Sequence, residues 1–254
     1  MSGKRKSAAI LAIGDELLSG RTRDSNIHYL AKWLTERGVA LDEARLIGDD
    51  EDTIVDALNA LRARYDYVFT SGGIGPTHDD ITVDAIAKAF GVAVVEHPDA
   101  VARIHSYYES INTPVTPARL RMARTPDGAE LIENPISGAP GVKIDNVFVM
   151  AGVPRIFETM LRAIDTIIER GPVMHSTSLI AQKLPESKLA DPLRDIQDKH
   201  RDVAIGSYPI DGDIKGVTVV MRSQDGDAIK RAAVDVAEII HGFGVEPVSG
   251  DHKD

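Results

Sequence analysis

Through the first 170 or so residues, short continuous apolar runs alternate with longer segments whose apolar positions recur at helical spacing. Ala8 to Ile13 is one such run, the pattern of a strand buried on both faces of a parallel sheet. It leads into Gly14-Asp15-Glu16-Leu17-Leu18-Ser19-Gly20, which reads as a loop. Asp24 or Ser25 can cap the next helix, with Ile27, Leu30, Ala31 and Leu34 on one face and Gly38 as its stop. His28 and Trp33 on that helix read as ordinary surface or packing residues. A second strand from about Val39 to Ile47 opens into the acidic loop Gly48 to Asp52 and a helix with Ile54, Val55, Leu58 and Leu61 as its buried stripe. Tyr67, Val68 and Phe69 then predict a third strand, followed by a glycine-rich turn and a helix that starts near Thr77 and stops at Gly91.

The pattern continues with a short strand at Val92 to Val95 and helical pieces over Asp99 to Ile111 and Pro117 to Ala123. Leu131 to Gly141 is too rich in turn formers for regular structure. Lys143 to Met150 reads as a hairpin closed at Asp145-Asn146, adding an antiparallel strand to the parallel set. Turn chemistry at Ala151-Gly152-Val153-Pro154 precedes a helix with Ile156, Phe157, Met160, Leu161 and Ile164 on one face. Gly171-Pro172 closes this domain, residues 1–172, an α/β unit with a mostly parallel sheet. Beyond it the order changes to strand, helix broken at Pro192, strand, hairpin near Asp211-Gly212, strand and helix. Residues 173–245 thus form a small α+β domain of KH-like topology, read as an interaction or dimerisation unit. Residues 246–254, EPVSGDHKD, read as a disordered tail.

Composition narrows the function. The chain of 254 residues has no cysteine, which excludes disulfides and thiolate metal sites and suits a cytoplasmic protein. Its net charge of −10 argues against nucleic acid as a partner. The second domain lacks a G-x-x-G loop between its helices, and the segment 173–254 carries 10 basic against 14 acidic residues, which argues against RNA there too. Basic residues precede the first apolar run, but the run is too short for a signal peptide, and no stretch approaches the ~18 residues of a membrane span. A small-molecule partner fits best.

The candidate chemistry lies where strands end. Ser71-Gly72-Gly73-Ile74-Gly75-Pro76-Thr77 puts glycines between a strand and a helix start, where backbone N–H groups and the helix dipole favour phosphate. Asp79 and Asp80 sit on the same turn and would repel that phosphate. A divalent cation bridging carboxylate and phosphate oxygens removes the conflict, which makes both residues candidate metal ligands. Thr77, three residues before Asp80, has the spacing of a helix cap. His78 could serve as a base, although an exposed turn residue is the plainer reading. In open α/β sheets the carboxyl ends of strands carry the ligand crevice, so the loops at 14–20, 48–52 and 71–80 should converge, bringing Asp49 toward Asp80. Arg119, Arg121 and Arg124 read by default as a solvated helix face, with phosphate contact as the lesser alternative.

Four motifs resemble the molybdopterin-binding-fold (MoaB/Mog-like) family in its CinA-type N-terminal form. They are Gly14 to Gly20 with Asn26 behind it, Ser71 to Thr82, Asn134-Pro135 with Ala139-Pro140-Gly141, and Gly152-Val153-Pro154. Ile205-Gly206-Ser207-Tyr208-Pro209 resembles the segment that follows this fold in CinA-like proteins and in the domain attached to eukaryotic FAD synthases. The resemblance implies a three-layer α/β/α sandwich and a homo-oligomer. It places ligand-binding roles on Gly14, Asp15, Glu16, Asn26, Ser71, Gly72, Gly73, Gly75, Pro76 and Thr77, and on Asn134, Pro140, Gly141, Gly152 and Pro154. The key acids would be Asp49 and Asp80, with Asp79 beside them, and the cofactor a divalent metal of the magnesium or cobalt class. Three functions are compatible with it: metal-dependent pyrophosphatase action on ADP-ribose or FAD, molybdopterin binding with or without adenylyl transfer, and a silent scaffold. CinA-type proteins continue into an amidase domain, and amidase activity is not expected of this chain. Ile156 stands where many relatives carry an acid.

Overall fold

In the computed structural model, which describes residues 5–172, 174–210 and 215–250, the chain divides into two compact units, Met1–Gly171 and Pro172–Asp254. In the first, β1 (Ser7–Ile13), α1 (Asp15–Leu18), α2 (Asn26–Thr35), β2 (Ala40–Ile47), α3 (Glu51–Arg62), β3 (Tyr67–Ser71) and α4 (Thr82–Phe90) follow the expected alternation. They continue into β4 (Val94–Glu96), α5 (Pro98–Ser110), α6 (Pro117–Leu120), a 3-10 turn and β5 (Arg124–Pro126). The unit ends with β6 (Glu130–Ile132), β7 (Gly141–Ile144), β8 (Val147–Met150) and α7 (Pro154–Ala163).

The main sheet has six strands in the order β2-β1-β3-β8-β7-β6. β2, β1, β3 and β8 pair in parallel, and β7 joins as the antiparallel strand of the β7–β8 hairpin, with Asp145 at φ 52° in its turn. Period-two alternation decides which helix each side chain meets. Ala8, Ile10, Phe69, Phe148 and Met150 face α2 and α7, where Leu30, Leu34, Phe157, Met160 and Leu161 cover them. Ala9, Leu11, Val68, Val147 and Val149 face the opposite way, toward Ile54, Leu58 and Leu61 of α3 and Ala85 and Ile86 of α4. Both faces are therefore dry, and the domain is the three-layer α/β/α sandwich. Phe69 and Phe148 stack at 5.1 Å across the parallel β3–β8 pair, a contact of about 0.5–1.5 kcal/mol beyond area burial. Trp33 is part of the first core, with the Arg37 guanidinium 3.8 Å over its ring, and His28 is exposed.

Several boundaries differ from the sequence reading. The Gly14 to Gly20 segment contains the single turn α1. The 131–141 segment donates its ends to β6 and β7, because Leu131 pairs with Val142 across the sheet edge. The helix expected near Thr77 begins at Thr82 instead. Two side-chain arrangements displace it. Asp80 Oδ2 accepts from the Thr77 N–H at 2.8 Å and from its hydroxyl, closing a separate turn, while the buried Thr82 donates from N to Gly73 O and from Oγ1 to Gly72 O, each at 3.0 Å. The Thr-x-x-Asp pair thus bonds in one direction, from Thr77 to Asp80, around a turn before the helix. Asp79 and Asp80 therefore precede α4 rather than occupying its first turn.

The second unit contains β9 (His175–Gln182), α8 (Ala190–Lys199), β10 (Ala204–Ile210), β11 (Gly216–Ser223), α9 (Gly226–Gly242) and β12 (Val248–Ser249). Its antiparallel sheet runs β10-β11-β9-β12. Leu179, Ala181, Val217, Val219 and Met221 face a core shared with Ile196 of α8 and Ala232, Val236 and Ile240 of α9. Pro192 sits inside the first turn of α8, where a missing N–H costs nothing, so it starts the helix rather than breaking it. Of the tail expected to be disordered, Val248 and Ser249 pair with β9, because its edge offers free ladder groups, and 251–254 lie outside the described residues. The hairpin expected near Asp211-Gly212 lies outside the described residues.

Candidate functional site

The parallel strands β1, β2, β3 and β8 all deliver their carboxyl ends to one edge of the sheet, and the loops that follow are tied together there. Two loops exchange hydrogen bonds: the Asp15 N–H donates to Asp49 Oδ2 at 2.9 Å, and the Asp49 N–H donates to Asp15 Oδ1 at 3.4 Å. A third connection is the buried side chain of Asn26, at the start of α2. Its Nδ2 donates to Ser71 Oγ at 2.7 Å and to Gly152 O at 2.8 Å, joining the ends of β3 and β8. Its Oδ1 is buried without a partner among the described residues.

Backbone approach at β3 requires glycine. Gly72 has φ +110°, and a Cβ there would lie 2.2 Å from Ile13 O. Gly73 has φ +67°, and its Cβ would lie 2.1 Å from Thr82 Oγ1. The Gly72 N–H is spent on Met150 O at 3.1 Å. Among the described residues the N–H groups of Gly73, Ile74 and Gly75 donate to no protein acceptor, and all three residues are partly exposed. Three successive free donors form a ready anion site. Asp80 lies against this turn, close enough that a Cβ on Gly75 would meet its Oδ2 at 2.6 Å. With Oδ2 bound to Thr77, Oδ1 of Asp80 keeps no partner among the described residues.

Electrostatically the edge is acidic. Partial burial pushes the Asp49 carboxyl above its usual range, and the Asp15, Glu16 and Asp79 carboxylates add to the shift against the lowering effect of the Asp15 N–H. These four acids therefore share one field. Among the described residues no three carboxylate or imidazole side chains converge closely enough to cage a cation. Such a donor set fits an ion of the magnesium class carried in by phosphate, which needs one or two protein carboxylates rather than a full cage. Asp80 and Asp79 would be those ligands. His78 is 99% exposed, its ring 3.9 Å from Asp79, the geometry of a solvated turn residue.

The predicted residues sort into four places. Glu16, Asn26, Ser71, Gly152 and Pro154 line one cavity. Gly75, Asp80, Pro140 and Gly141 line a second, together with Arg121 and Arg124. Pro76 and Thr77 are exposed on the turn between Gly75 and Asp80. Asn134 stands apart, in a groove beside Tyr107. Its Nδ2 donates to Ala139 O and Ser137 Oγ and its Oδ1 accepts from the Ile136 N–H, so it shapes the loop that presents Pro140 and Gly141. Ile156, in place of an acid, packs against the first core. Spacing gives Arg121 a solvated face first and phosphate contact second; its nearness to Asp80 rests on a contact between segments far apart in the chain, which spacing alone does not reveal.

Comparison with known proteins identifies the family and the fold. Residues 9–169 match the family described as "Probable molybdopterin binding domain", and residues 174–248 match "FAD synthase, middle domain". A Pyrococcus furiosus protein is 35% identical over 253 residues, covering 94% of this chain and 97% of that protein. A Thermococcus kodakarensis protein is 36% identical over 215 residues, covering 80% and 85%. Among solved structures, the protein CinA of unknown function from Thermoplasma acidophilum superposes with a TM-score of 0.59 and 34% identity, covering 64% of this chain and 97% of that one. With residues 9–169 matched and a three-layer sandwich, the chain belongs to the molybdopterin-binding-domain family, in its CinA-like form, followed by a unit that matches the FAD synthase middle domain.

Proposed function

We propose that the protein is a divalent-metal-dependent pyrophosphatase acting on a nucleotide diphosphate such as ADP-ribose or FAD. The observation that carries this reading is the turn after β3, where three unpaired backbone N–H groups adjoin Asp80, whose Oδ1 lacks a protein partner. Donors for phosphate and an acceptor for a cation stand side by side. The match of the second unit to the FAD synthase middle domain supports a flavin or adenine dinucleotide among the substrates.

The chain's own residues would divide the work as follows. Gly73, Ile74 and Gly75 bind phosphate oxygens through their N–H groups. Thr77 fixes the Asp80 carboxylate by two hydrogen bonds, so that its free oxygen needs no reorganisation to meet a cation. Asp49, held above the usual carboxylate range, is suited to accept a proton from an attacking water. A bound divalent cation would supply charge neutralisation and Lewis acidity at this place. In the overall reaction water adds to one phosphorus, the bridging P–O bond breaks, and AMP leaves with the second phosphate on the other product.

The test is AMP release from ADP-ribose and FAD across magnesium and cobalt salts, wild type against Asp80→Asn. Loss of a metal-holding carboxylate should lower the rate at least about a hundredfold. Equal rates in the two proteins would remove Asp80 from the mechanism. A second reading, molybdopterin binding, is favoured by the family match over residues 9–169. Adenylation of molybdopterin by ATP, or a melting-temperature shift by molybdopterin with no AMP released from any dinucleotide, would select it.

A further inference from the structure

Three arginines follow α5 in the sequence, and the structure gives them different tasks. Arg119 lies 4.2 Å over the Tyr108 ring and donates to Pro114 O. Arg124 is half-buried and pairs with Asp84 of α4. Arg121 is exposed, and among the described residues its guanidinium makes one hydrogen bond, to Thr77 O at 3.3 Å, and no ion pair. Most of its N–H donors are therefore free. It lines the same cavity as Gly75, Asp80 and Gly141.

A cation beside Asp80 that does not pair with it is informative. Arg119 and Arg124 show that local chemistry in this segment can satisfy a guanidinium, and Arg121 is held by a backbone carbonyl of the phosphate turn instead. The turn already offers three N–H donors, enough for one phosphate group. An arginine fork next to it matches a second phosphate by bidentate hydrogen bonding.

We propose that Arg121 is a ligand-binding residue that grips the second phosphate of a pyrophosphate-bridged ligand, and so sets the preference for diphosphates over monophosphates. This rests on the phosphate site proposed above and deepens it. The role is binding and selection, and it requires no particular fate for the bridge.

Calorimetric titration of wild type, Arg121→Ala, Arg121→Lys and Arg119→Ala with inorganic pyrophosphate and with orthophosphate, at fixed magnesium, tests it. Wild type should bind pyrophosphate more tightly than orthophosphate. R121A should lose about ten- to a hundredfold for pyrophosphate and less than about threefold for orthophosphate. R121K should fall between, because an ammonium keeps the charge without the fork, and R119A should match wild type. The ligand-free melting temperature of R121A should stay at the wild-type value, since the side chain is exposed; should R121A fail to fold, the loss in R121K is read in its place. A wild type that does not prefer pyrophosphate, an unchanged R121A and R121K, or equal losses in R121A and R119A would each overturn the proposal. AMP release from ADP-ribose and FAD by the same protein preparations separates the two ideas: pyrophosphate selectivity without hydrolysis of either dinucleotide sinks the enzyme reading and leaves Arg121's role standing.

Discussion

Asp49 shows at the scale of one residue how the site trades stability for charge. Its carboxyl is pushed above the usual range by partial burial and by three neighbouring acids. A group whose folded pKa lies above its unfolded value contributes stability while protonated, and that contribution disappears as pH rises through the folded value. Near neutral pH the ionised Asp49 therefore weakens the fold. Asp49→Asn should raise the melting temperature at pH 7 in metal-free buffer, and the gain should vanish on acidifying below about pH 3.9, the ordinary aspartate range. Differential scanning calorimetry across that interval reads the sign directly. A lower melting temperature for the variant at pH 7 would mean that the bond accepted from the Asp15 N–H outweighs the repulsion. Residue types and their order lead to the expectation of Asp49, Asp80 and the glycines at strand ends; the structure ties Asp49 to Asp15 and Asp80 to the turn at Gly75. Arg121 and the crosslink made by Asn26 were less legible, since both depend on contacts between segments far apart in sequence.

At the scale of elements, the glycine turn is shaped by what its neighbours leave open. Gly72→Ala places a methyl group 2.2 Å from the Ile13 carbonyl oxygen at a φ of +110°. Strain and overpacking together should cost about 2–4 kcal/mol. Gly20→Ala is the matched control: φ is +72°, but nothing lies within 4 Å, and about 1 kcal/mol is expected. Urea unfolding of the two variants measures both, and equal losses would show that steric approach to β1 is not the constraint on Gly72. The start of α4 is the element that spacing misplaced. Thr-x-x-Asp serves a helix cap or a free-standing turn equally well, and the choice was made by Thr82, whose buried hydroxyl reaches back to Gly72 O. Strand positions were easier to read, because a run such as Ala8 to Ile13 has no polar residue to expose on either face.

For the whole molecule, the sequence break at Gly171-Pro172 coincides with a break between cores. The first unit has its own apolar clusters on both sides of the six-stranded sheet, and the second encloses Leu179, Val219, Met221, Ala232 and Ile240 by itself. Residues 1–172 and 173–254 expressed separately should each show cooperative thermal unfolding with native-like far-ultraviolet circular dichroism. Because the turn, its acids and Arg121 all belong to the first piece, pyrophosphate binding should stay with it. Failure of either piece to fold would show that the boundary is not one of folding. The alternation of strand and helix made the first unit legible as α/β, and the switch to consecutive strands marked the second.

The amide of Asn26 touches residues 45 and 126 positions further along the chain. One donor group thus makes a single inherited character of three places that mutation visits independently. Aspartate at 26 would set an oxygen against the Gly152 carbonyl, alanine would leave that carbonyl and the Ser71 hydroxyl without the bond, and neither fault can be repaired by a change at 71 or 152 alone. A substitution at the corner where β3 and β8 end thus answers to three segments at once, whereas one on the exposed face of α5 answers only to its own neighbours.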